Sequence, residues 1–352
     1  MTGTYPPLCH YFLIFFVVAS LLGHTNAVAQ DKDTTYIQKF PESLNLRLLA
    51  AQKGLQLQAK NSQLGENYYF NPWYRNYVGL GGFLWNIGFN FLLPVSPPLQ
   101  DNNLKRFDFQ GSLYAKNWLV DGIYQRYQGF VLGDNPFTPN AEPESYQHDM
   151  VLKKIQATIT YLPGGEQFSL RFPFNQGDRQ RKSQGSLLLS SDFSYTKLYN
   201  DDGILPEGVA DEADPAGQLD ELRFYSLNAL VGYGATLVHR NFFLHAFGLT
   251  GLGFQRKRYY TGQEQRAFAV EPVYDIRGAF GYDKGAWYTG VYVSSDYTVV
   301  EIEQWQFIGR TSQIRLYLGI RIDEPEFLRK IKPKFLENWR NSPNIPLPPI
   351  FG

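Results

Sequence analysis

Cysteine is nearly missing from this 352-residue chain: the single one is Cys9, near the start. One thiol makes no internal disulfide and no thiolate metal site. Net charge is missing as well, since 33 Lys and Arg balance 33 Asp and Glu. There is then no global field to gather nucleic acid or an acidic partner. Long apolar runs are also lacking. The longest, Tyr11–Leu22, falls short of the ~20 residues that a spanning helix needs. Histidine is sparse, and His148, His239 and His245 stand at no metal-ligand spacing such as HExxH.

Aromatic side chains are in surplus, at 16% of the chain, with 24 Tyr and 27 Phe. The two interfacial girdles of a membrane barrel use such a surplus. Tyr11–Leu22, followed by Ala27-Val28-Ala29, reads as a secretory leader cleaved after Ala29. Cys9 precedes its apolar core and is not placed to be a lipidated first residue. The expected division is a signal peptide over 1–29 and an N-terminal periplasmic segment over 30–42. A barrel follows over 43–322, then a Pro-rich periplasmic tail over 323–352.

Period-two alternation fills the exported part. Phe168–Tyr195 reads as a spanning hairpin, two alternating segments around a charged, glycine-bearing middle. In Ser43–Lys60, Leu44, Leu46, Leu48 and Ala50 oppose Asn45 and Arg47. The phase slips near Gln52–Gly54 before Leu55 and Leu57 resume it, which predicts a bulge or turn. Tyr77–Phe91 reads as one strand, with Phe83, Trp85, Ile87, Phe89 and Phe91 on one face. Lys105–Ala115 sets Phe107, Phe109 and Leu113 against Asp108 and Gln110. Gln313–Ile322 sets Ile314, Leu316, Leu318 and Ile320 against Arg315, Tyr317 and Arg321. Gly133–His148, Asn200–Glu221 and Gln255–Arg266 read as long loops.

The predicted fold is all-β, a transmembrane antiparallel up-and-down β-barrel of about twelve strands, with ten to fourteen allowed. Its polar lumen would be faced by Asp108, Gln110, Arg315, Tyr317 and Arg321, because a wet interior accepts arginine more readily than a sandwich core does. One feature conflicts with this plan. The short turns at Lys116, Pro163, His239 and Asp283 should share one side, yet the segments between Pro163 and His239 have the wrong parity.

Three stretches resemble a known family: Gln180–Ser186 (QRKSQGS) after Phe168–Arg171 (FSLR), Asp33–Tyr36 with Leu44–Arg47 (LNLR), and Gly319–Ile322 (GIRI). Together they are similar to the uncharacterised Bacteroidetes outer-membrane family called domain of unknown function 4421, from about Asp33 to Ile322 on a whole-domain scale. The resemblance implies a Gram-negative outer-membrane setting and supplies no activity and no catalytic residue. The family's closing strand tends to end in an aromatic where this chain has Ile322.

The densest basic cluster gives the candidate binding residues Arg179, Arg181, Lys182, Ser183 and Arg171. They would hold a lipid phosphate or an acidic solute, with a solvated charged turn as the plainer reading. No GxSxG elbow accompanies the histidines, so no catalytic residue is assigned, and no metal or cofactor is expected. A non-enzymatic narrow pore, solute-binding barrel or envelope scaffold is expected ahead of a barrel-housed enzyme acting on lipid or glycolipid. The expected partners are outer-membrane lipid, an anionic solute and, through the tail, an envelope protein.

Overall fold

A computed structural model describes residues 36–40, 42–61, 63, 65–72, 76–95, 106–115, 117–133, 145–205, 219–261, 263–302 and 304–332. The leader, its cleavage site and the tail beyond residue 332 lie outside the described residues. The strands are β1 (Ile37–Lys39), β2 (Ser43–Asn61), β3 (Glu66–Pro72), β4 (Asn76–Leu84), β5 (Ile87–Pro94), β6 (Arg106–Tyr114), β7 (Trp118–Leu132) and β8 (Ser145–Tyr161). They continue with β9 (Asp178–Gln180), β10 (Gln184–Tyr199), β11 (Leu219–His239), β12 (Phe242–Thr261), β13 (Glu264–Asp283), β14 (Trp287–Ile302) and β15 (Trp305–Asp323). Two short helices are α1 (Arg171–Asn175) and α2 (Glu326–Ile331).

The chain folds as a closed 12-strand antiparallel β-barrel. β3 and β4 pair successively with β2 and count as one wall strand. The seam runs from Trp305↔Asn61 to Asp323↔Ser43 without a register shift. Closure pairs the first wall strand with the last along its whole length, which removes the free terminal edges that strands crossing hydrocarbon cannot leave open.

Burial inverts the order of a soluble protein. On β15, Ile314, Leu316, Leu318 and Ile320 are 48–53% exposed, while Gln313, Arg315 and Tyr317 between them are 5–6% exposed. Hydrocarbon can cover the first row, and the barrel interior holds the second. β2 and β15 start and end the barrel at the same end as the connections 85–86, 115–117, 240–241 and 284–286. This is the turn end. The opposite, loop end carries the connections 133–144 and 200–218.

Four sequence expectations need correction. First, Phe168–Tyr195 is not a hairpin. Only Gln184 onward spans, and 168–175 ends in the helix α1. Pro173 has no N–H to give a ladder. The alternating Phe168, Leu170, Phe172 and Phe174 are all buried, because protein surrounds them on every side. Leu162–Ser183 is thus one long turn-end connection, and the parity conflict disappears.

Second, β2 contains no bulge. Its inner face runs from Asn45 and Arg47 through Lys53 to Leu55, Leu57 and Ala59, and its outer face from Leu46 and Leu48 to Gln52, Gln56 and Gln58. The apparent slip at Gln52–Gly54 is apolarity crossing from the outer face to the inner one.

Third, Tyr77–Phe91 is a hairpin. Trp85 and Asn86, at φ 53° and 70°, form the kind of two-residue turn that has both central residues left-handed. That turn places Phe83 inside the barrel and Phe89 and Phe91 outside. Fourth, Gln255–Arg266 is mostly strand, the paired ends of β12 and β13, and His148 lies in β8.

Candidate functional site

Along the inward faces the barrel interior falls into three layers. At the turn end, Leu49, Phe83, Leu119, Leu188, Phe247 and Tyr317 form one buried cluster with Phe168, Leu170 and Phe174 of the 162–183 connection. That connection folds into the barrel as a plug. Burying each of its large apolar side chains contributes roughly 1.5–3 kcal/mol. Phe172 packs on Phe243 at 4.4 Å, and Phe174 on Tyr292 at 5.5 Å. Glycine makes room for the plug: a Cβ at Gly88 would stand 2.6 Å from Asn175.

Hydrogen bonds fix the plug to the wall. Arg47 donates to Phe174 O at 2.6 Å, Asn175 Oδ1 at 2.9 Å and Asn90 Oδ1 at 3.1 Å. Asn45 donates to Gln176 O at 2.8 Å, Gln176 to the Tyr317 hydroxyl at 2.8 Å and Asn175 to the Tyr114 hydroxyl at 2.5 Å. Arg321 makes a bidentate pair with Asp283, at 3.0 and 2.7 Å, and donates to Gln176 O at 3.1 Å. The strand β1 pairs with β9 of the plug, Ile37 opposite Gln180.

At the loop end a second apolar cluster fills the interior. It includes Leu57, Phe70, Phe130, Met150, Trp305 and Phe307, joined by Ile204 and Leu205 from the 200–218 connection. On β2 the outward positions beside it, Gln52, Gln56 and Gln58, are polar. Along β2 the upper wall is built as a water-soluble protein is, with its grease inside.

Between the layers lies a polar chamber of about 140 Å3. At 10–15 Å3 per water-sized site it holds roughly ten such groups. Arg277 pairs with Asp275 at 2.7 Å and with Asp121 at 3.4 Å, and Ser112 donates to Asp121 at 2.6 Å. Lys154 meets Asp296 at 3.4 Å. Lys53 meets Asp108 at 2.7 Å, with Tyr127 also donating to that oxygen at 2.8 Å. Asp192 accepts from Asn228 at 2.8 Å. Arg315 lies over the Tyr292 ring at 4.5 Å, and its buried Nη1 has no hydrogen-bond partner among the described residues.

Of the residues singled out from sequence, Gln110 and Arg315 line this chamber, and Asp108 bonds to its Lys53. Tyr317 and Arg321 sit lower, on the plug. The five basic-cluster residues are not brought together. Arg171 bonds to Asn86 at 3.1 Å and Arg179 to Asn241 at 2.8 Å. The Ser183 hydroxyl accepts from Val238 N at 2.9 Å. Arg181 and Lys182 are exposed, with Lys182 over the Tyr36 ring at 5.4 Å.

The histidines stay apart as well. His245 is buried, shares a 2.8 Å hydrogen bond with the Thr236 hydroxyl and stacks on Phe168. His239 ends β11, and His148 is near the start of β8. Among the described residues no three His, Cys, Asp or Glu side chains are grouped to hold a metal.

The chamber residues Lys53, Lys154, Asp192, Asp275 and Arg277 escaped the sequence reading. The one signal was charge inside otherwise alternating segments, and such charge looks the same on a solvated face.

A family model described as Domain of unknown function (DUF4421) matches residues 31–321. No curated protein matches the chain. Among solved structures, the outer membrane protease OmpT from Escherichia coli is similar at 9% identity and TM-score 0.39, over 80% of this chain and 97% of that one. The toluene transporter TodX of P. putida is similar at 12% identity and TM-score 0.24, over 81% and 91%. The attachment invasion locus protein Ail of Yersinia pestis is similar at 9% and 0.20, over 80% and 100%.

Proposed function

Since the chain belongs to the DUF4421 family, a family of unknown function, we propose that it is a non-enzymatic outer-membrane barrel that holds a small polar solute in its lumen and does not conduct. The turn end faces the periplasm, because bacterial barrels keep their short turns there. One observation carries this reading: a chamber lined by charged and hydroxyl side chains lies between an internal plug and an apolar cap. A conducting pore needs a continuous wet path, and packed apolar layers interrupt it. A catalytic barrel needs a nucleophile with its base, and His245 is enclosed by Thr236 and aromatic rings.

Planar-bilayer recording on the full chain tests the closed state. The wild type should show no conductance steps, and neither should a variant lacking residues 166–181, because the loop-end layer still closes the lumen. Native mass spectrometry from a neutral detergent should find a small molecule on the wild type and none on the deletion. A conducting wild type, or one that carries no added mass, overturns the reading.

A further inference from the structure

We infer that the β2–β15 wall of the chamber is an anion site, and that it takes a small organic carboxylate with a short apolar body. This deepens the solute-binding reading and rests on it. Arg315 is 6% exposed, and its guanidinium lies over the Tyr292 ring with no described carboxylate in an ion pair with it. Among the described residues no acceptor meets its Nη1, and none meets Nε2 of Gln313, which is equally buried. Their Cα atoms, two residues apart on one strand face, stand about 7 Å from each other. Both line the chamber.

Arg47, on the neighbouring strand β2, is a second buried guanidinium. Its acceptors are a carbonyl and two amides, all neutral. The chamber's carboxylates are engaged elsewhere: Asp275 and Asp121 with Arg277, Asp296 with Lys154, and Asp108 with Lys53. Asp192 is on β10, five strands round from β15 and so nearly across the lumen. One wall therefore holds buried positive charge that no described carboxylate neutralises. Water can satisfy its hydrogen bonds but not its charge. A planar carboxylate does both, since it matches the guanidinium fork.

The apolar body follows from the adjoining space. A second cavity of about 60 Å3 is lined by Leu57, Leu152, Leu198, Phe224 and Phe307 and shares Thr311 and Ser194 with the chamber. From Arg315 to Thr311 along β15 is roughly 13 Å, the reach of a carboxylate carrying a chain of about six to eight carbons.

Isothermal titration of the full chain in a maltoside detergent tests this with three probes: sodium octanoate, octanol and inorganic phosphate. The wild type should bind one octanoate, and octanol and phosphate should bind at least about tenfold more weakly. Arg315→Met should weaken octanoate about tenfold or more while the barrel keeps its unboiled gel mobility. Gln313→Leu, which removes a donor but no charge, should weaken it roughly threefold or more and serves if Arg315→Met does not fold. Octanol binding as well as octanoate, phosphate binding alone, or affinity indifferent to both substitutions overturns the assignment. Failure of octanoate to bind a wild type that still carries another small molecule and does not conduct also overturns it, and leaves the closed-chamber reading standing.

Discussion

Three buried arginines on two adjacent strands meet three different fates. Arg321 has a carboxylate, Asp283, with both side chains at most 4% exposed. Arg47 has only neutral acceptors on the plug. Arg315 has an aromatic face. Each predicts its own cost. Asp283→Ala leaves a guanidinium buried without its partner and should destabilise by about 3–5 kcal/mol. Arg321→Met combined with Asp283→Leu should recover most of that loss, because it removes both charges. Urea unfolding midpoints in lipid vesicles, read at unchanged slope, check both outcomes. Arg47→Met strands the Phe174 carbonyl and the Asn175 amide oxygen, at about 1–3 kcal/mol for each group left unsatisfied. That loss falls on the plug, so the readout is faster proteolysis of the 162–183 connection than in the wild type.

β2 shows best what an element has to satisfy. It is one unbroken strand, paired with β15 along its whole length, yet it obeys two rules. Leu44, Leu46, Leu48 and Ala50 look outward, while Leu55, Leu57 and Ala59 look inward. The crossover at Gln52–Gly54 marks where the wall leaves the bilayer. Leu48→Arg should therefore cost about 2–4 kcal/mol, and Gln56→Arg, on the same face one step above the belt, about 0–1 kcal/mol. Equal costs at the two positions would remove the crossover. The plug teaches the opposite lesson. Its Phe168, Leu170, Phe172 and Phe174 alternate as a strand does, but they are buried in a connection that ends in α1. Gly88→Val should push Asn175 out of its seat and loosen the plug without breaking β5. Proteolysis of the 162–183 connection in intact barrels, faster in the variant than in the wild type, checks this.

On the scale of the whole molecule, closure and layering work together. The β2–β15 seam joins the first and last wall strands, so the barrel exists only once the chain is complete. Boiled and unboiled samples should run at different positions on a detergent gel, and a chain cut before Trp305 should lose that difference. The lower wall presents apolar rows to lipid, and the upper wall encloses an apolar core. The polar chamber sits between them, where neither lipid nor loop-end water reaches freely.

By itself the sequence determined the wall. Period-two alternation is local: Leu316 looks out because Arg315 and Tyr317 look in, and no distant contact is needed to read that. Strand type, approximate strand number and the lumen positions of Asp108, Gln110 and Arg315 follow from it. What fills the cylinder was decided only by the tertiary structure. Whether Phe168–Phe174 spans or plugs depends on Arg47, Tyr114 and Tyr317, far away in the chain, supplying its hydrogen bonds and packing. Whether Arg315 finds a carboxylate depends on which strands stand across the lumen. Those are contacts between residues that only closing the barrel brings together, and no repeat along the chain encodes them.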